Sequence, residues 1–116
     1  MNATADLSAL QKVVREAVEQ GRLGALRFLR CMARVDDSRR LQGSLDELTS
    51  LAEAWFRSPP VLRHKLGQDG TVYQTEILKW SEGQGALLTV SLASPDGPPV
   101  LDLMLIGSRG TLYHES

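Results

Sequence analysis

TVYQTEILKW (residues 71–80), SEGQG (81–85) and ALLTVSLA (86–93) form the stretch whose reading decides the fold. Apolar and polar residues alternate along both flanking runs with period two, the spacing of strands that turn one face to a core. In the first run Val72, Gln74, Glu76, Leu78 and Trp80 point one way, and Thr71, Tyr73, Thr75, Ile77 and Lys79 the other. In the second, Leu88, Val90 and Leu92 oppose Leu87, Thr89, Ser91 and Ala93. Upstream, the Asp-Gly step in Gln68-Asp69-Gly70 predicts a hairpin back to 61–66. Downstream, Ser94-Pro95-Asp96-Gly97-Pro98-Pro99 separates a further run, VLDLMLI (100–106), and Gly107-Ser108-Arg109-Gly110 precedes a last one at 111–114. Connections this short favour antiparallel neighbours, because a parallel pair needs a crossover of about a dozen residues. One face of the resulting sheet is dry by pattern and the other mixed. The mixed face, with Tyr73, Thr75, Ile77, Leu87, Thr89 and Ser91, suits solvent or a second sheet and is the candidate oligomer face.

Residues 7–20 have helical periodicity. Leu7, Leu10, Val13, Val14, Ala17 and Val18 recur at three- and four-residue steps, and Gly21 is placed to end the helix. In 25–35, Leu29, Cys31, Ala33 and Val35 alternate with Phe28, Arg30, Met32 and Arg34, which predicts a strand with both arginines on one face. Those arginines fit an anion contact or, more simply, long side chains lying along a sheet surface. Ser44-Leu45-Asp46-Glu47 matches a capping box opening a second helix, whose stripe Leu45, Leu48, Leu51, Ala52, Trp55 and Phe56 ends at Ser58-Pro59-Pro60. The architecture expected is α+β: a mostly antiparallel, open-faced sheet of about six strands with two helices packed on one face, in a single domain over 1–116.

Thirteen basic and 14 acidic residues give a formal net charge of -1, no basis for binding nucleic acid or an anionic membrane. The lone Cys31 has no intrachain disulfide partner, and no apolar stretch reaches transmembrane length, so a cytoplasmic setting is expected. No His, Cys, Asp and Glu set has metal-ligand spacing, and no Gly-x-Ser-x-Gly elbow is present. Asp46-Glu47 is a carboxylate pair, but a helix's first turn favours acids through its dipole alone.

The order VREAVEQGRLGALRFLR (14–30), LDELTSLAEAWFRSPP (45–60) and LDLMLIGSRGTLYHE (101–115) resembles the C-terminal domain of the Gfo/Idh/MocA (glucose-fructose oxidoreductase) family. In that family a helix and G-x-(I/L)-G-x-(I/L)-R open the domain, a helix ending W-x-x-G-x-P crosses it, and a G-(S/T)-x-G-x-(I/L) hairpin closes the sheet. The resemblance spans about residues 10–115. It implies a fold, and a sheet that usually serves as the oligomer surface. It also implies missing parts, because the family's N-terminal Rossmann domain binds the nicotinamide cofactor at G-x-G-x-x-G and supplies a lysine from E-K-P. Neither motif occurs here. The family's Asp and His, four residues apart on the crossing helix, fall on Gly43 and Glu47 when counted back from Pro59, or on Ser44 and Leu48 when matched on Trp55. Neither register supplies a histidine.

The expectation is therefore a non-catalytic oligomerisation or interaction domain, a homodimer through its sheet face, with no catalytic, cofactor or metal residues of its own. The alternatives are an accessory subunit of a split NAD(P)-dependent oxidoreductase, with a separate chain supplying the Rossmann domain, and a small sugar or metabolite binder. In the split-enzyme reading Arg30, Arg34 and Glu47 are the candidate ligand contacts.

Overall fold

The computed structural model describes residues 4–35, 37–66, 73–92 and 100–115. Helix α1 (Thr4–Glu19) leads into strand β1 (Leu26–Val35), and a 3-10 turn (Ser38–Arg40) opens directly into helix α2 (Leu41–Phe56). Five strands follow: β2 (Leu62–Leu66), β3 (Tyr73–Lys79), β4 (Gly85–Leu92), β5 (Val100–Gly107) and β6 (Thr111–Glu115). They form one mixed, mostly antiparallel sheet in the order β2-β3-β4-β1-β5-β6, so the α+β architecture is as the pattern predicts. The predicted turns at 68–70 and 94–99 lie outside the described residues.

Strand order departs from the simple meander. β4 and β5 run in opposite directions, as a short connection requires, yet they are not neighbours, because β1 lies between them. β1 pairs in parallel with β4 and antiparallel with β5. The first half of the chain thus supplies a central strand as well as cover. The parallel pair is reached through the long excursion containing α2, β2 and β3, in keeping with the crossover a parallel pair needs.

The inner face carries Leu29, Cys31, Ala33 and Val35 of β1, Leu78 of β3, Ala86, Leu88 and Val90 of β4, Leu101, Leu103 and Leu105 of β5, and Leu112 of β6, all buried. Against it lie Leu10, Val14 and Ala17 of α1 and Leu41, Leu45, Leu48, Leu51, Ala52 and Phe56 of α2. α2 rests on β3, β4 and β1, while α1 touches β6. At its C-terminal end the Phe56 ring sits 4.4 Å from the Trp80 ring, centroid to centroid, and Trp80 Nε1 donates to the Ser58 carbonyl at 2.7 Å. The helix is thereby pinned where Pro59 prevents its continuation.

The capping box does not form. α2 begins three residues before Ser44, and its N-cap, Arg40, has no side-chain capping bond. Leu41 explains the earlier start: it stands four residues before Leu45 on the same stripe and is buried, so an added turn extends the apolar face. Asp37 organises the approach by accepting from the Arg39 backbone N–H at 2.9 Å and from its guanidinium at 2.8 Å. Those bonds hold the exposed Asp37 carboxyl down to about pH 2.

The two glycine-rich motifs interlock. The Ser108 N–H donates to the Ala25 carbonyl and the Arg109 N–H to the Leu23 carbonyl, both at 2.8 Å, while the Ala25 N–H donates to Ser108 Oγ at 3.0 Å. So close a passage demands glycine at 107, where a Cβ would fall 2.0 Å from the Leu23 carbonyl oxygen. Gly24 opposite it has a positive φ of 70°.

Candidate functional site

The outer face of the sheet has no covering layer among the described residues. Its side chains follow from the register. One row across the strands reads His64, Ile77, Leu87, Arg30, Met104 and Tyr113. The row on one side is Leu62, Lys79, Gly85, Phe28, Ile106 and Thr111, and the row on the other is Leu66, Thr75, Thr89, Met32 and Asp102. Beyond it come Tyr73, Ser91 and Arg34. All six residues of the candidate oligomer face, Tyr73, Thr75, Ile77, Leu87, Thr89 and Ser91, therefore share one surface, where the Thr75 and Thr89 hydroxyls meet at 3.1 Å.

The same surface holds more apolar area than those six suggest. Tyr113 is 55% exposed, Leu62 48%, Tyr73 47% and Met32 41%, and Leu66, Ile77, Leu87, Phe28, Met104 and Ile106 are exposed or half-buried beside them. Alternation carried the signal for Phe28 and Met32 in 25–35 and for Met104 and Ile106 in 100–106. Assigning them to this face required the strand order.

Arg30 and Arg34 lie on this outer face, exposed, on the central strand. Glu47 is exposed on α2, in the layer that covers the opposite face. The structure thus separates the three candidate ligand contacts, with the arginines among the oligomer-face residues and the glutamate across the sheet from them. Asp102, half-buried beside Met32, has its Oδ1 buried without a hydrogen-bond partner. Beneath it, on the inner face, burial and then the Asp102 charge push the Cys31 thiol up to about 12.

Leu48, at one of the two candidate positions for a catalytic histidine, is buried in the core. His64 stands exposed on β2 and His114 half-buried on β6, on opposite faces and at opposite sheet edges. A polar strip runs under the N-terminal half of α2. There Arg63 Nε donates to Glu76 Oε1 at 2.5 Å, Lys65 Nζ to Gln42 Oε1 at 2.8 Å and Gln42 Nε2 to Asp46 Oδ1 at 2.8 Å. Glu76 is buried on the inner face, and its carboxylate raises the affinity of Arg63 for its proton. Gln74 Oε1 and Glu76 Oε2 are also buried without partners. A groove of about 350 Å³ lies between the helices, bordered by Val14, Arg15, Val18, Leu51, Trp55 and Arg57. Among the described residues no three His, Cys, Asp or Glu side chains gather as a metal site, and no helix is long and apolar enough to cross a membrane.

No family model and no curated protein matches this sequence. Solved structures do match in fold. A probable dehydrogenase from Thermotoga maritima superposes with a TM-score of 0.70 at 17% identity, over 90% of this chain and 38% of the other. Myo-inositol 2-dehydrogenase from Lactobacillus plantarum gives 0.67 at 17% identity, again over 90% and 38%. The WlbA dehydrogenase from Bordetella pertussis, in complex with NADH and UDP-GlcNAcA, gives 0.67 at 16% identity, over 90% and 39%. The fold resemblance to the C-terminal half of Gfo/Idh/MocA-type oxidoreductases is thereby shown, and the chain spans under two fifths of their length.

Proposed function

We propose that this chain is a non-catalytic, self-associating domain whose outer sheet face pairs with the same face of a second copy. One observation carries the reading: an apolar face runs the width of a six-stranded sheet, from Leu62 to Tyr113, with no layer over it among the described residues. Contiguous apolar patches on that scale mark interaction surfaces. Two sheets packed face to face bury such side chains at a spacing of about 10 Å. Apolar side chains surround a small charged group on the central strands, Arg30, Arg34 and Asp102, and arginine is a residue that interfaces favour.

Light scattering on the purified chain across a range of concentrations tests the reading. The expected result is a dimer, converted to monomer by Ile77→Asp or Leu87→Asp, two half-buried positions whose replacement leaves the helix-facing core intact. A monomer at every concentration would overturn it.

A second reading draws on the interhelical groove beside Trp55 and on the share of the relatives' length that this chain spans. Here the chain is an accessory subunit of a split NAD(P)-dependent oxidoreductase, its helical side meeting a nucleotide-binding chain. Co-purification from its own cells with such a chain, weakened by Trp55→Glu, is the expected result. Capture of no nucleotide-binding chain would count against it.

A further inference from the structure

We propose that Asp102 and the two β1 arginines, Arg30 and Arg34, are reciprocal charged contacts that fix how two copies pair through their outer faces. The proposal rests on the self-association reading above and adds what sets its register. In the β1–β5 pairing Asp102 stands opposite Met32, so Arg30 and Arg34, two residues to either side of Met32, flank it diagonally on the same face. Diagonal neighbours across a ladder lie about 7–8 Å apart, within reach of a long side chain. Yet no ion pair among the described residues joins either arginine to Asp102. Both guanidinium groups are exposed, while Asp102 Oδ1 is buried and has no donor.

A buried carboxylate oxygen without a donor is costly, and rotation of the Asp102 side chain towards the surface, to meet a guanidinium of a second copy, supplies the missing bonds in charge-assisted form. A depression of about 40 Å³ beside Asp102, bordered by Met32, Met104 and Tyr113 as well as Arg30, leaves room for one side-chain tip. A second copy brings the same three charges. In an isologous contact every residue that meets another is met in return, so one arginine-to-Asp102 pairing occurs twice. The apolar surroundings exclude water from the pair once the faces close. Two cations to one anion on each central patch also make registers that set arginine against arginine repulsive. The charges thereby select one arrangement among those the apolar face alone would permit.

Charge exchange between two variants tests this. Asp102→Arg alone places cation against cation, and Arg30→Asp with Arg34→Asp places anion against anion, so each variant is expected to be monomeric by light scattering. Their equimolar mixture is expected to form a one-to-one heterodimer with a dissociation constant within about tenfold of the parent homodimer. Asp102→Asn keeps the shape without the charge and covers the case in which Asp102→Arg fails to fold. Roughly tenfold weaker self-association is expected of it. If the parent is a dimer and the variants dimerise equally well, or stay monomeric when mixed, the charge proposal falls and the self-associating face stands. If the parent itself is monomeric, both fall.

Discussion

Replacing Gly107 by alanine should destabilise the fold through one backbone contact. The new Cβ would stand 2.0 Å from the Leu23 carbonyl oxygen and 2.7 Å from its carbon, both main-chain atoms that no rotamer change can move. Reaching ordinary contact at 3.4 Å means moving the loop between α1 and β1 by about 1.4 Å relative to the β5–β6 turn. That displacement breaks the bonds joining the two: Ser108 N–H to Ala25 O, Arg109 N–H to Leu23 O and Ala25 N–H to Ser108 Oγ. At about 1 kcal/mol net for each, the loss is about 3 kcal/mol. For a domain of this size it lowers the melting temperature by roughly 10–15 °C. Thermal unfolding followed by far-ultraviolet circular dichroism, at matched protein concentration, reads the change. Gly43→Ala is the control: it lies within α2 with nothing within 4 Å of an added Cβ, and should gain about 0.5–1 kcal/mol from helix propensity. A Gly107→Ala protein melting within about 2 °C of the parent would refute the claim that the two loops are locked in close passage.

Arg63→Ala removes the partner of a buried carboxylate and should cost about 2 kcal/mol in urea unfolding, the half-exposed arginine keeping the loss moderate. Glu76→Met, which removes that carboxylate together with its unpartnered oxygen, should cost less than Arg63→Ala or stabilise the fold. Cys31 should resist thiol reagents at pH 8 in the folded protein and react fully in denaturant, as counted by mass spectrometry. Its folded value is raised from 9.0 to about 12, so the unfolded chain loses its thiol proton first. Stability should therefore fall as pH rises from about 9 towards 12, and Cys31→Ala should flatten that fall.

Local pattern carried most of the fold into view. Period-two alternation sorted Gln74 and Glu76 with Leu78 onto the inner face, although both are polar, because the pleat and not polarity decides which way a side chain points. It also placed Tyr73, Thr75 and Ile77 with one another, and Leu87 with Thr89 and Ser91. Alternation cannot tell which strand lies beside which. Ser94 to Pro99 has the chemistry of a tight hairpin, yet the strands flanking it are separated by β1, a pairing set by contacts about 57–81 residues away along the chain. The same limit hid the separation of Glu47 from Arg30 and Arg34, since sequence spacing does not say which layer an element occupies. The start of α2 was misread for a local reason. Ser44 and Glu47 match a cap, but the buried Leu41 extends the apolar stripe a turn further, and burial outweighs one capping bond.

Native mass spectrometry on the protein drawn gently from its own cells decides whether two copies pair, because it reports copy number and partner chains together. A species holding two copies of this chain and no other chain is expected. A bare monomer at micromolar concentration, or a heavier complex holding a nucleotide-binding chain and one copy of this one, would contradict it.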